Sequence, residues 1–87
     1  MQNCLNKVLV EICVPVIGDS FDVFMPADVP IKDLNGIIAN GVAEITNERY
    51  VATGWDQLCM SEPVGVLNPM LSLQDYGVKD GTQLYLI

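Results

Sequence analysis

The stretch S-L-Q-D-Y-G-V-K-D-G-T-Q-L-Y-L-I, residues 72–87, contains an apolar segment, a polar turn and an alternating apolar run. Gly81 marks the turn, because glycine adopts the positive φ angles that tight turns require. Residues 82–87 then alternate in the manner of a strand whose Leu84 and Leu86 face a core. The alternate, outward side chains are Gln83, Tyr85 and Ile87.

A hairpin is predicted at the beginning of the chain. Residues 7–14 and 20–25 both alternate and are rich in β-branched or aromatic side chains. Residues 15–19, P-V-I-G-D, supply the proline, glycine and aspartate of a connecting turn. The predicted inward residues are Val8, Val10, Ile12, Val14, Phe21, Val23 and Met25.

A helix is predicted at about residues 30–46, with Asp28 as its capping residue and Pro30 in its first turn. Gly36 and Gly41 weaken the helix by roughly 1 kcal/mol each relative to alanine. The alternative is that they let the helix lie close to the sheet. The apolar stripe recurs every three or four residues: Ile31, Leu34, Ile38, Val42 and Ile45.

Two further strands are predicted after a segment, residues 46–54, that carries no clear pattern. Residues 55–60 form the first of them, with Leu58 and Met60 inward, and residues 64–67 form a very short second one. The order is therefore strand, strand, helix, strand, short strand, strand. It predicts a single α+β domain over residues 1–87, with one helix packed across one face of a mixed sheet of four to five strands.

The charge of −7 on 87 residues disfavours nucleic acid as a partner, because phosphate binding depends on clustered lysine and arginine. No apolar run reaches the length of about eighteen residues that a membrane span requires, so we expect no direct membrane insertion. The start of the chain also lacks the pattern of a secretory signal. These features predict a cytoplasmic protein.

Chemistry by the chain's own side chains is not expected. There is no histidine, so Ser-His and Cys-His pairs are excluded, and the acidic residues are scattered. The three cysteines, Cys4, Cys13 and Cys59, lack the spacing of a metal site and are interpreted as small hydrophobic residues. We therefore expect no enzymatic activity, no cofactor and no metal.

The predicted order of elements resembles the β-grasp fold of ubiquitin. The resemblance covers residues 7–87 and is closest in residues 72–87, where Asp75 and Tyr76 match the Asp-Tyr pair of ubiquitin's closing segment. Further matches to core positions are Leu73, Val78, Leu84 and Leu86. The length, Trp55 at the start of the third predicted strand and the S-L-Q-D-Y-G-V-K-D-G turn are similar to the YukD-like group.

The resemblance to the YukD-like group implies a function. Its members are small bacterial ubiquitin-like proteins associated with type VII (ESX-like) secretion systems. The same fold forms a cytosolic domain of a membrane component in actinobacterial systems. The implied role is an accessory or adaptor module that binds a protein partner, such as a secretion ATPase or a membrane component.

The sequence ends at Ile87 without the Gly-Gly tail that conjugated modifiers and sulfur carriers need for acyl transfer. We therefore expect a ubiquitin-like protein that is not conjugated. Two alternatives stay open: a modifier or sulfur carrier whose Gly-Gly tail is missing, and a detached regulatory β-grasp domain.

The ubiquitin layout leaves one face of the sheet uncovered by the helix. Exposed apolar clusters with tryptophan and tyrosine often mark docking surfaces, so this face is the predicted binding site, and self-association would use the same face. The alternative is that Trp55 or Phe24 is covered by residues 46–54 or by the start of the chain. The candidate binding residues are Leu9, Phe24, Trp55, Tyr85 and Ile87, among further face residues Glu11, Cys13, Gln57 and Cys59.

Overall fold

The computed structural model describes residues 6–61 and 64–87, and within them one helix packs on a five-stranded mixed sheet. The strands are β1 Lys7–Val14, β2 Asp19–Pro26, β3 Leu58–Ser61, β4 Val64–Val66 and β5 Thr82–Leu86. The helix, α1, spans Ile31–Ile45. The strands lie in the order β2-β1-β5-β3-β4. The predicted α+β β-grasp fold, with its first and last strands side by side, is confirmed.

The middle of the sheet is formed by β5, which runs parallel to β1 and antiparallel to β3. The turn before β5 fixes this position. The Leu9 N–H donates to Asp80 Oδ1 at 2.8 Å, and the Gly81 N–H donates to the Leu9 carbonyl at 2.8 Å. These bonds align β5 so that Leu84 lies opposite Ile12.

The core lies between the sheet and α1. The inward residues of β1 and β5 are almost completely buried, as their alternation predicts. Phe21 and Val23 of β2 are only half-buried, because β2 lies at the edge of the sheet. The largest fully buried side chains are Ile12, Met25, Ile31, Leu34, Leu58, Leu73, Leu84 and Leu86, with Val10 and Val14.

The helix begins one residue later than predicted and uses a different cap. The N–H groups of Ile31 and Lys32 donate to carbonyls of the connection between β4 and β5, at Leu71 and Pro69, with distances of 2.8 and 2.9 Å. The prediction that Asp28 caps the helix is wrong. Its carboxylate instead accepts a hydrogen bond from Asn6 Nδ2 at 3.2 Å.

The outer side of α1 differs from the sequence prediction at three residues. A Cβ added at Gly36 or Gly41 would meet nothing within 4 Å, so the idea that they allow close packing is wrong. Ile45 was predicted on the buried stripe but is 59% exposed. It lines a groove between α1 and β2 together with Ile37 and Gly41, whereas Val42 and Ala43 of the same turn are buried.

The third strand begins at Leu58, so the prediction of a strand from residue 55 is wrong for its first part. Gln57 still pairs with Ile87, each N–H donating to the other carbonyl at 2.9 and 3.0 Å. Before that, the Asp56 carboxylate accepts hydrogen bonds from the N–H groups of Thr53 and Gly54, both at 3.0 Å. This side-chain turn competes with strand pairing and bends the chain away from the sheet.

The closing stretch is organised by its Asp-Tyr pair. Asp75 and Ser72 exchange hydrogen bonds, with the Ser72 N–H donating to Asp75 Oδ2 at 2.9 Å and the Asp75 N–H donating to Ser72 Oγ at 3.2 Å. The Tyr76 hydroxyl accepts from the Asn68 N–H at 2.8 Å. Tyr76 therefore ties the turn before β5 to the loop after β4. Leu73, in the same stretch, is fully buried.

Candidate functional site

The side of the sheet opposite α1 is called the open face. Because side chains alternate across each strand, every second residue of the strands points to it. Cross-strand pairing arranges these residues in rows that run perpendicular to the strands. Its residues are Lys7, Leu9, Glu11, Cys13, Ser20, Asp22, Phe24, Pro26, Gln57, Cys59, Ser61, Val64, Val66, Gln83, Tyr85 and Ile87.

One end of the open face is apolar. Leu9 of β1 lies directly opposite Phe24 of β2. The Phe24 side chain is 70% exposed, so none of the described residues covers it, whereas Leu9 is half-buried. The structure thus brings together two of the five candidate binding residues as a cross-strand pair.

A negatively charged row separates this apolar end from the rest of the open face. Glu11 lies between Asp22 on β2 and Gln83 on β5. Gln83 Nε2 donates to Glu11 Oε1 at 2.9 Å. This bond and a second one from Ser20 lower the pKa of Glu11, so its carboxylate stays charged near neutral pH. A partner that covers the face must therefore accommodate negative charge between two apolar areas.

The next row is built on Tyr85, which lies between Cys13 of β1 and Cys59 of β3. All three side chains are half-buried. Burial raises the pKa of both thiols, and the nearby Glu11 charge adds to the effect at Cys13. The thiols therefore stay protonated near neutral pH, which supports their interpretation as small hydrophobic residues. Cys4 lies outside the described residues.

Beyond Tyr85, the open face ends in a groove of about 560 Å³ that the sequence did not predict. Three apolar residues from separate parts of the chain lie around it: Val16 is 77% exposed, Val51 is 62% exposed and Ile87 is 59% exposed. Arg49 lies on the same rim and forms an ion pair with Asp19 at 3.2 Å. The groove adjoins Tyr85 because Ile87 is two residues further along the same face of β5.

The wall of this groove is held in place by a buried pair. The Tyr50 hydroxyl donates a hydrogen bond to Asp56, and the two residues are 5% and 8% exposed. Burial works against the Asp56 charge, but hydrogen bonds from Tyr50, Thr53 and Gly54 outweigh it, so the pKa of Asp56 is lowered. Burial and the neighbouring carboxylate raise the pKa of Tyr50 well above its usual range. The pair therefore consists of a charged acceptor and a neutral donor.

Trp55 does not lie where its predicted strand would place it. It follows Gly54 in the loop between α1 and β3 and is 86% exposed, so none of the described residues covers it. The alternative in which Trp55 or Phe24 is covered by residues 46–54 is wrong. Cover by the start of the chain, residues 1–5, lies outside the described residues.

The five candidate residues thus occupy three places. Leu9 and Phe24 form the apolar end of the open face, Tyr85 and Ile87 lie along β5 at the other end, and Trp55 stands on the loop. Their role in binding stays a prediction. Sequence reasoning missed Val16 and Val51, which lie in segments without periodicity, although the apolar residues in a proline-containing turn were a visible signal.

Within residues 6–61 and 64–87, no group of three or more cysteine, aspartate or glutamate side chains is placed to hold a metal ion. Over the same residues, no helix has both the length and the apolar character needed to cross a bilayer.

Comparisons with known proteins identify the family. The structure is similar to the EccD5 ubiquitin-like domain from Mycobacterium xenopi, with a TM-score of 0.77, 26% identity and coverage of 93% of this chain and 92% of that one. It is also similar to the ubiquitin-like domain of the Mycobacterium tuberculosis type VII secretion system protein EccD1, with a TM-score of 0.75, 22% identity and coverage of 93% and 97%.

A third similar structure is a chain of the MycP5-free ESX-5 inner membrane complex, with a TM-score of 0.77 and 23% identity. The match covers 94% of the present chain and 21% of that chain, so the likeness is to one part of a larger protein. No curated protein sequence matches. The family model for YukD, described as a protein of the WXG100 protein secretion system (Wss), matches residues 8–86, and the chain therefore belongs to the YukD family.

Proposed function

We propose that this YukD-family protein is a cytoplasmic adaptor of a WXG100-type secretion system that acts by binding another protein, without chemistry of its own. Family membership supports the link to secretion. The observation that carries the binding role is the open face, where Phe24 and Ile87 remain exposed on the side of the sheet opposite α1. The helix covers one side of the sheet only.

The composition of the open face defines the partner surface. Two apolar areas, at Phe24 and at Ile87 with the groove, flank the charged row of Glu11 and Asp22. Hot spots in protein interfaces concentrate in tryptophan, tyrosine and arginine side chains that become fully buried. The complementary surface therefore presents apolar residues around at least one lysine or arginine.

The proposed partner is a protein component of the secretion apparatus, such as its ATPase or a membrane component. Support comes from the likeness to a chain of an ESX-5 inner membrane complex, where a domain of this fold belongs to a membrane assembly. The acidic charge of the chain, −7, is compatible with a basic partner surface. Self-association through the open face would present Glu11 and Asp22 to their own copies, and like charges oppose it.

The proposal is tested with affinity-tagged protein and the purified cytosolic parts of the secretion components encoded with it. Tyr85→Ala and Phe24→Ser should each weaken binding by roughly tenfold, as expected for exposed anchors. Trp55→Ala tests separately whether the loop contributes. Met70→Ser is the matched control, because Met70 is 69% exposed and lies on the connection that holds the start of α1.

Equal binding by the wild type and by both open-face variants would refute the docking role of this face. Thermal unfolding of each variant must accompany the measurement, since a folded variant that loses binding is the result that supports the proposal.

A further inference from the structure

A second surface, at the β2 end of the sheet, has the features of a strand-binding site. Its first feature is the outer edge of β2, which is the end strand of the sheet. β2 is eight residues long, and among the described residues no strand pairs with its outer side. An unpaired edge of this length exposes a row of backbone donors and acceptors.

The hydrogen-bond register shows which backbone groups face outward. The Ala27 N–H donates to the Asn6 carbonyl, and in an antiparallel ladder the bonded pairs recur at every second residue. Phe21, Val23 and Met25 of β2 therefore bond to β1. The alternate residues, Ser20, Asp22 and Phe24, point their N–H and carbonyl groups away from the sheet. Pro26, which has no N–H, ends this row.

The second feature is an apolar groove of about 240 Å³ between β2 and α1. Phe21 and Val23 form its strand side and are half-buried. Ile37 and Ile45 form its helix side and are 64% and 59% exposed. Gly41 lies between them and leaves the groove open, because a Cβ at this residue would meet nothing within 4 Å.

Edge and groove together match the way in which an extended segment binds to a sheet. The backbone of an added strand pairs with the edge, and its alternate side chains enter pockets on one face. Here those alternate side chains would lie beside Phe21 and Val23 in the groove. The remaining side chains would point to the open-face side, next to Asp22.

Charge selects the occupant. The edge strand carries Asp19 and Asp22 and has no lysine or arginine, while Asp19 is already paired with Arg49. A second copy could add its own β2 to this edge in antiparallel orientation. The register that forms the most backbone pairs is centred on Asp22. It would set the two Asp22 carboxylates directly opposite each other. Like charges opposite each other destabilise a sheet, and each copy also carries a charge of −7.

We propose that the outer edge of β2 and the groove beside α1 bind an extended segment of another protein as a sixth strand. The segment has apolar residues at alternate positions and lysine or arginine between them. This site meets the open face along Asp22 and Phe24, but it also includes the groove beside α1, which is not part of the open face. Ile37→Ser therefore tests it separately from Tyr85→Ala.

The test uses the full chain, labelled with ¹⁵N, and two synthetic peptides. One is acetyl-Thr-Val-Lys-Val-Lys-Val-Thr-amide, and the other has glutamate in place of both lysines. NMR titration should show the lysine peptide binding with a Kd below about 1 mM and shifting the amides of Ser20, Asp22 and Phe24. The amide exchange of these three residues should slow on binding, and the glutamate peptide should bind roughly fivefold more weakly or worse.

Two protein variants and a modified peptide distinguish the contributions of charge, groove and backbone pairing to peptide binding. Asp22→Lys should reverse the preference between the two peptides. Ile37→Ser should weaken both by about fivefold, whereas the equally exposed control Met70→Ser should leave them unchanged. N-methylation of the lysine peptide at the residues that pair with the edge should abolish binding, because it removes the backbone donors.

Three results would each overturn the proposal. The first is no binding of the lysine peptide at about 1 mM. The second is a set of shifts centred on Tyr85 and Ile87, which would place the peptide on the open face. The third is concentration-dependent broadening of the Ser20, Asp22 and Phe24 amides without peptide, which would show that a second copy occupies the edge.

Discussion

The Tyr50 hydroxyl donates a hydrogen bond to the Asp56 carboxylate, and both residues are almost completely buried. Asp56 also accepts the N–H groups of Thr53 and Gly54, so one carboxylate closes the loop between α1 and β3. The same loop supplies Val51 to the groove at the end of the open face and carries Trp55. The shape of the candidate site therefore depends on this buried pair.

Removing either partner of the pair should destabilise the protein. Asp56→Asn and Tyr50→Phe are each expected to cost about 1–3 kcal/mol, because they remove a hydrogen bond to a buried charge or leave a buried polar group without its partner. Urea unfolding measures the change. Tyr85→Phe is the control for loss of a hydroxyl and should stay within about 0.5 kcal/mol of the wild type. Equal stability of Tyr50→Phe and Tyr85→Phe would contradict the role of the pair.

The pair also predicts how stability depends on pH. The folded-state pKa of Asp56 is lowered from its ordinary value of 3.8, so its contribution is complete above that value and is lost as pH falls through the folded pKa. The pKa of Tyr50 is raised from its ordinary value of 10.0, so its contribution is complete below pH 10 and is lost as pH rises further. Unfolding curves across pH measure both limits.

Asp56→Asn provides the check on this pH dependence. Its free energy of unfolding should fall less steeply than that of the wild type as the solution is made acidic. Glu11, whose pKa is also lowered, remains in both proteins and contributes equally. Identical acid profiles for the two proteins would rule out Asp56 as a source of the dependence.

Trp55 is expected to behave as a solvated side chain. It is 86% exposed, so its fluorescence in the folded protein should be close to that of free tryptophan and should be quenched readily by acrylamide. Trp55→Ala should change the free energy of unfolding by no more than about 0.5 kcal/mol. A blue-shifted, quencher-resistant emission in a monomeric sample would contradict the exposed position.

Alanine at Gly36 or Gly41 should stabilise the protein. Both residues are helical, and the space beside each is open, so the new methyl group meets no obstacle. Each substitution is expected to add about 0.4–1 kcal/mol, because alanine loses less backbone entropy on folding. Chemical denaturation measures the gain. Gly77→Ala is the contrasting variant and should destabilise, since Gly77 has a φ of +68°.

Cys13 and Cys59 should neither form a disulfide with each other nor react quickly. Tyr85 lies between them, so they are two strand spacings or roughly 10 Å apart, beyond the reach of about 7 Å between Cα atoms. Their raised pKa values keep both thiols protonated. Mass spectrometry after alkylation at pH 7.5 should show slow labelling of both, and faster labelling in urea. Rapid labelling of Cys59 in the folded protein would contradict this.

The parts of the fold whose apolar residues recur with a regular spacing were predictable from sequence. Alternation in β1 and β5 placed Val10, Ile12, Leu84 and Leu86 in the core, and the turn at Gly81 marked the start of the last strand. These patterns work because each strand has one buried face, and a shift by one residue would expose it.

The loop between α1 and β3 could not be predicted in the same way. Residues 55–60 alternate like a strand, but the Asp56 side chain bonds to Thr53 and Gly54 and displaces pairing until Gln57. The Asp56 carboxylate is buried against Tyr50, six residues earlier. This spacing matches neither the helical nor the strand repeat, so the sequence pattern does not reveal the pair. The groove at the end of the open face could not be predicted for a related reason. Val16 and Val51 are far apart in the sequence and line the same groove only in the folded structure.

The central position of β5 has a consequence for the order of assembly. β1 with β2 and β3 with β4 are each hairpins of neighbours in the chain, but they touch in the sheet only through β5. Until Thr82–Leu86 has left the ribosome, a growing chain has two separate hairpins with unpaired inner edges and no continuous sheet. We expect the cooperative folding step to wait for β5, which makes synthesis the stage at which the chain is most exposed to aggregation.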